Sequence, residues 1–145
     1  MSELRELYQQ TILDHSREPR NFGPLAGANR NAEGYNPLCG DRIALHLDVA
    51  DGVIRNARFE GAGCAIETAS ASLMTEAIKG LREDEALQLL ERMRAMLTGV
   101  AAAEPGKLAA LAGVREFPQR IKCATLPWHT MAAALRDVDA QVSTE

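Results

Sequence analysis

Four side chains in this sequence carry metal-ligand or nucleophile chemistry at positions that leave it usable. Cys39 lies in Asn36-Pro37-Leu38-Cys39-Gly40-Asp41, a loop just ahead of a strand pattern. Cys64 lies in Gly61-Ala62-Gly63-Cys64-Ala65-Ile66, between a strand end and a helix start. Cys123 is expected where a loop enters the last helix. None of the three falls in an apolar stripe, where an inert buried cysteine belongs, and loops on a rigid scaffold are the usual seat of chemistry. Cys64 and Cys123 both fall near expected helix amino termini, where unpaired amides and the positive dipole end favour thiolate over thiol. Gly61 and Gly63 permit a tight turn and let backbone amides point at a bound sulfur or metal. Gly40 lets Cys39 and Asp41 turn toward one centre. Three thiolates at ~2.3 Å and one carboxylate oxygen at roughly 2.1 Å would complete a zinc tetrahedron.

Three cysteines are an odd number, so one disulfide would leave a thiol over and a disulfide framework is a poor reading. The spacing contains no Cys-x-x-Cys pair and leaves two readings open: a shared metal site on Cys39, Asp41, Cys64 and Cys123, or three unrelated and structurally inert cysteines. The histidines add little. His15 ends or follows the first helix, His46 faces away from an apolar strand face, and His129 falls well along the last helix. Trp128 reads as a packing or interface anchor. Met93 and Met96 read as core filler.

The elements that must position these residues follow from periodicity. Residues 2–15 predict a short amphipathic helix, capped by Ser2 with Glu3 at its positive end, and with Leu4, Leu7, Tyr8 and Ile12 on one face. Pro19 and Asn21-Phe22-Gly23-Pro24 end it. Residues 26–35 give a weak first strand. Ile43, Leu45, Leu47 and Val49 alternate with polar or small residues, the period-two mark of a strand buried on one face. Asp51-Gly52 is a hairpin signal, and the strand from Val53 to Glu60 returns with Val53, Ala57 and Phe59 on one face. Helices are expected over about 66–79, stopped by Gly80, and over 83–97, favoured by Glu83 and Asp84 in its first turn. The second carries Leu87, Leu90, Met93, Met96 and Leu97 inward and is broken by Gly99. Pro105-Gly106 marks a turn, Lys107 to Leu111 a helical turn or two, and Gly113 to Gln119 a loop. The last helix is expected from Cys123 to about Val138, because Pro127 is tolerated most easily in a first turn. The sum is one α+β domain over residues 1–145, a small three-stranded antiparallel sheet packed against helices.

A chain of 145 residues buries roughly 68% of its unfolded surface and needs no staple to fold. A metal here is therefore more plausibly functional than structural. Sixteen Lys and Arg against 20 Asp and Glu give a net charge of −4, which offers no basic field for nucleic acid. The apolar stretches fall short of the ~20 residues that cross a bilayer. Met1-Ser2-Glu3-Leu4 does not read as a secretory signal, so a cytoplasmic location is expected.

Three ordered motifs then carry a resemblance over nearly the whole chain: Asn36-Pro37-x-Cys39-Gly40-Asp41; Gly61-x-Gly63-Cys64-Ala65-Ile66 with Ser70 and Ser72; and Lys122-Cys123-Ala124 with Leu126. Together they resemble the U-type iron–sulfur cluster assembly family, which takes in IscU, the amino-terminal part of NifU, and SufU. The SufU branch is the most similar. The segment between Cys64 and Cys123 is longer than in the IscU branch, and the run from Gly113 to Cys123 looks like the SufU form. The IscU branch has a histidine where Lys122 stands, and a Leu-Pro-Pro-Val-Lys chaperone motif that is missing here.

That resemblance implies zinc held by Cys39, Asp41, Cys64 and Cys123, with Cys39 accepting sulfur from a PLP-dependent cysteine desulfurase of the SufS type. It further implies that a desulfurase histidine replaces Cys39 on the metal, and that the freed thiolate attacks the enzyme persulfide. A downstream SUF scaffold or an apo-protein would then receive the sulfur. Arg120 and Lys122 are candidates for orienting a partner or offsetting the charge of the site. The competing reading is a scaffold that builds a [2Fe–2S] cluster on the same ligands, since thiolates take iron as well as zinc. A hydrolytic zinc enzyme is disfavoured, because four protein ligands leave no position for water. A metal-free binding domain is the remaining class.

Overall fold

A computed structural model describes residues 2–37, 39–100, 106–136 and 139–143, with side chains described over 6–37, 39–100 and 106–136. The side chains of Ser2, Glu3 and Leu4, together with Pro105 and Val138, lie outside the described residues, as do the expectations resting on them. The order is α1 (Ser2–Arg17), β1 (Arg30–Asn36), β2 (Asp41–Ala50), β3 (Val53–Ala62), α2 (Ala65–Ile78), α3 (Glu83–Leu97), a 3₁₀ segment (Gly106–Glu116), α4 (Pro118–Arg136) and β4 (Asp139–Ser143).

Strands β1, β2 and β3 form the expected antiparallel meander. Strand β4 adds a fourth, pairing parallel to β1 at the edge, so the spatial order is β3-β2-β1-β4. The alternation in β2 is as the sequence predicts: Ile43, Leu45, Leu47 and Val49 are buried. Asp51 and Gly52 both take positive φ, at 54° and 74°, as a two-residue hairpin turn of opposite hand to the common type requires. The return strand differs from expectation in one phase. The register slips at Asp48/Val49, where Asp48 faces Asn56 but Val49 faces Ile54, leaving Arg55 as the extra residue. The bulge reverses the alternation beyond it, so Ile54 and not Val53 joins Ala57 and Phe59 in the core.

Helix α2 lies against β3, α4 crosses β1 and β2, and α3 packs on α4. The core between them holds Leu45, Leu47, Met74, Met93, Met96 and Trp128, all fully buried. Both methionines are core residues, as expected. Helix α1 is pinned to α2 by a buried His15, whose Nδ1 lies 2.7 Å from Ser72 Oγ; the same hydroxyl accepts the Arg20 amide at 2.8 Å.

Two expectations about the last third of the chain are corrected. Residues 106–116 are a continuous 3₁₀ segment, and α4 begins at Pro118, so the expected loop over 113–119 is almost wholly helical. Pro118, whose missing amide proton costs nothing in a first turn, takes the place that the sequence reading gave to Pro127. Pro127 sits inside α4. The helix is clamped there from outside: the Ser70 hydroxyl donates to the Ala124 carbonyl at 2.6 Å, and Trp128 Nε1 donates to Ser70 Oγ at 3.1 Å. Cys123 consequently lies in the second turn of α4, not at its start.

Candidate metal centre

The centre forms where the β1–β2 hairpin meets the start of α2 and the second turn of α4. Alternation in β1 turns Ala32, Gly34 and Asn36 inward. Asn36 pairs with Asp41, the first residue of β2, and both are fully buried. Cys39 stands in the turn between them and is exposed. Helix α4 delivers Cys123 from across the sheet, fully buried. Gly34 lets it come this close, because a methyl there would drive into the Thr130 hydroxyl and crowd Leu126.

One ligand atom each from Cys39, Asp41 and Cys123 lies within 4.8 Å of the others. The two sulfurs are 3.4 Å apart. Corners of a tetrahedron with 2.3 Å arms stand about 3.8 Å from each other, so this donor set suits a zinc-sized ion. Cys64 adjoins the trio without joining that tight group. Its sulfur caps α2, accepting the Glu67 amide at 3.5 Å. Its own amide donates to Asp41 Oδ1 at 2.9 Å, which ties the helix start to the carboxylate. The helix-terminus expectation therefore holds for Cys64 and fails for Cys123.

The surroundings are not those of free thiolates. Burial pushes the Cys123 thiol well above its ordinary value, and Asp41 and the neighbouring cysteines push it further. A cation is needed to hold this sulfur deprotonated. Arg120 supplies part of that charge: its guanidinium faces the sulfurs of Cys64 and Cys123, with Cys64 the stronger influence. An apolar groove of about 950 Å³, lined in part by Ile12, Leu13, Val114 and Phe117, opens beside Cys64 and Arg120.

Two residues at the centre were given no role from the sequence. Asn36 directs its side-chain amide at Asp41 Oδ2, at 3.5 Å, and at Cys123 Sγ, at 3.7 Å. Glu67 is buried in the first turn of α2, and its carboxyl is pushed up to about 8 by burial and then by the nearby charge of Asp41. Its place after Cys64 in a helix start was a signal of proximity, but nothing in the sequence said it would point inward. The histidines stay apart from the ligand trio. His15 docks α1, His46 bonds Asn31 and Glu60, and the ring of His129 sits near Arg94 and Glu91 of α3. Trp128 is a core residue, as expected.

Residues 7–143 match the NifU-like N terminal domain. A Streptococcus pyogenes serotype M1 protein named iron–sulfur cluster assembly scaffold protein IscU is 40% identical over 149 aligned residues, covering 100% of this chain and 93% of that protein. The zinc-dependent sulfurtransferase SufU of Bacillus subtilis strain 168 is 43% identical over 131 residues, covering 88% of each. Among solved structures, FiSufU from thermophilic Fervidobacterium islandicum AW-1 superposes with a TM-score of 0.84 at 34% identity, covering 90% of this chain and 98% of that one. The amino-terminal NifU-like protein of Brucella abortus gives 0.82 at 26%, covering 92% and 94%. Motifs, fold and relatives agree over the same span, and the chain belongs to the NifU-like N-terminal domain family, the U-type family of IscU and SufU.

Proposed function

We propose that this protein serves iron–sulfur cluster assembly as a zinc-dependent sulfur acceptor, taking persulfide sulfur from a PLP-dependent cysteine desulfurase of the SufS type. The observation that carries the reading is the asymmetry of the donor set. Cys39 is exposed in a turn, while Cys123 and Asp41 are buried and Cys64 is engaged as a helix cap. One thiol can thus meet a partner while the others stay in place. The ligands are Cys39, Asp41, Cys64 and Cys123. Bound zinc would supply the positive charge that keeps these thiols deprotonated near neutral pH.

The transfer is a thiol exchange. The Cys39 thiolate attacks the outer sulfur of the donor persulfide, a sulfur–sulfur bond forms at Cys39, and the donor's own sulfur–sulfur bond breaks. The donor cysteine leaves as its thiolate, so no outside oxidant is needed. Asp41 holds the amide of Cys64, and Asn36 lies between Asp41 and Cys123, so the remaining donors keep their arrangement as Cys39 departs. In this reading the protein works in the cytoplasm and passes sulfur to a downstream SUF scaffold or apo-protein. The likeness to SufU of Bacillus subtilis, named for zinc-dependent sulfur transfer, supports it.

The test is desulfurase turnover on cysteine with wild-type protein and with Cys39→Ser, followed by mass spectrometry for added sulfur. Wild type should stimulate turnover and gain one sulfur atom on Cys39; Cys39→Ser should do neither. Full stimulation by Cys39→Ser would sink the acceptor assignment. The second reading, a [2Fe–2S] scaffold, is favoured by the full-length likeness to a protein named as an IscU scaffold. Metal analysis of protein isolated without added iron separates the two. Tightly held zinc favours transfer, and a labile cluster that passes to an apo-protein favours the scaffold.

A further inference from the structure

Ser70 belongs to the motif around Cys64, yet the proposed chemistry gives it no part. It is fully buried in α2, where a serine hydroxyl would ordinarily bond back to a carbonyl of its own helix. Here it donates across to the Ala124 carbonyl of α4, at 2.6 Å, and accepts Trp128 Nε1 at 3.1 Å. The two contacts bracket Pro127. Proline carries no amide proton, so the helical bond from residue 127 to the Cys123 carbonyl cannot form. The turn that presents Cys123 lacks that tie. Two threonine hydroxyls brace the same stretch from within, Thr125 to the Lys122 carbonyl at 3.3 Å and Thr130 to the Leu126 carbonyl at 2.7 Å. Ser70 braces it from another element, and that element carries a second ligand: Cys64 caps α2, with its amide on Asp41.

We propose that Ser70 is a positioning residue for the metal centre: its bond to the Ala124 carbonyl stands in for the helix bond that Pro127 withdraws, and so fixes Cys123 relative to Cys64. The inference rests on the metal reading above and names a support for it. Ligands must be held within roughly 0.5 Å by the groups around them. The Cys123 sulfur hangs on a single Cβ, so any shift of its backbone is passed directly to the donor atom. Three of the four donors then form one chain of contacts. Asp41 holds the Cys64 amide, α2 runs from Cys64 to Ser70, and Ser70 holds the carbonyl next after Cys123. Cys39 stands outside this chain in its exposed turn, the donor left free to meet a partner.

A thermodynamic cycle on zinc affinity separates positioning from a general loss of stability. Competition with a chromophoric chelator is measured on wild type, Ser70→Ala, Pro127→Ala and the double variant. Cobalt absorption reports thiolate ligation, and far-UV circular dichroism checks the fold. Ser70→Ala should lower affinity about tenfold, in the range for groups that orient a ligand, and should weaken the thiolate-to-cobalt band. Pro127→Ala returns an amide to the Cys123 carbonyl, so in that background the same change should cost less than about threefold. Trp128→Phe, which removes the indole donor to Ser70, should follow the same pattern with a smaller loss, and it carries the test if Ser70→Ala does not fold. An equal cost in both backgrounds, or an unchanged affinity in Ser70→Ala, would overturn the positioning role while leaving the metal site standing. A wild-type protein with no zinc affinity would instead remove the metal reading itself.

Discussion

The Asn36 side chain is fully buried between Asp41 and Cys123, and the amide group has both within reach. Groups in this position orient a ligand rather than bind the ion. Asn36→Ala should therefore lower zinc affinity by about 10- to 100-fold by chelator competition, with an unchanged far-UV spectrum. Cys123 yields a second expectation. Because burial, Asp41 and the neighbouring cysteines hold its thiol protonated, zinc entry must expel that proton. Zinc added to weakly buffered metal-free protein should acidify the solution, the apparent affinity should rise with pH, and Cys123→Ser should release fewer protons per ion. At this scale the sequence showed the donors and missed their supports. Cys39, Asp41 and Cys64 stood out by residue type beside glycines. Asn36 and Glu67 stand out only by burial and by what faces them, and neither follows from local pattern.

The helices and strands were legible where periodicity is strong and illegible where a single residue shifts its phase. The alternation of β2 and the span of α3 could be read directly. Arg55 could not be recognised as a bulge, since the residues flanking it fit either phase of β3. Two prolines compete for the first turn of α4, and the bonds that brace the helix beside Pro127 come from Ser70 of α2. Gly34 tests how tightly α4 must press on β1. Gly34→Ala should destabilise the fold by about 1–3 kcal/mol in urea unfolding, the range for overpacking, and should shift Cys123 with its helix. The α1 anchor is pH-dependent. Burial holds His15 below its usual value of 6.5, with Arg20 and Lys107 opposing its protonation and Glu76 and Asp14 favouring it. The unfolded chain therefore binds the proton first, so the His15 contribution to stability should fall as pH drops below about 6.5, while Glu67, pushed up to about 8, contributes a slope of opposite sign. Thermal melts from pH 7.5 to 5 should show it as a difference: wild type should lose stability relative to His15→Gln as the pH drops, with the Glu67 and His129 contributions common to both.

At the scale of the molecule, the metal would join three segments distant in sequence: the β1–β2 turn, the start of α2 and the body of α4. The core beneath them is continuous, apolar and made of other residues than the ligands. Zinc removal should therefore lower the melting temperature while leaving the far-UV spectrum near native, since a ligand bound only by the folded form stabilises by mass action. Complete loss of helical signal on chelation would instead make the ion structural. The sheet edge carries a practical corollary. Because β4 runs parallel to β1 and sets Ser143 beside Tyr35, the backbone at that end of the chain points the same way as the strand leading to Asn36. A polyhistidine tail grafted beyond Ser143 would hang within reach of the thiols and offer imidazoles of its own. Stoichiometry and affinity are accordingly measured on tag-free protein, where every nitrogen near the ion belongs to the native chain.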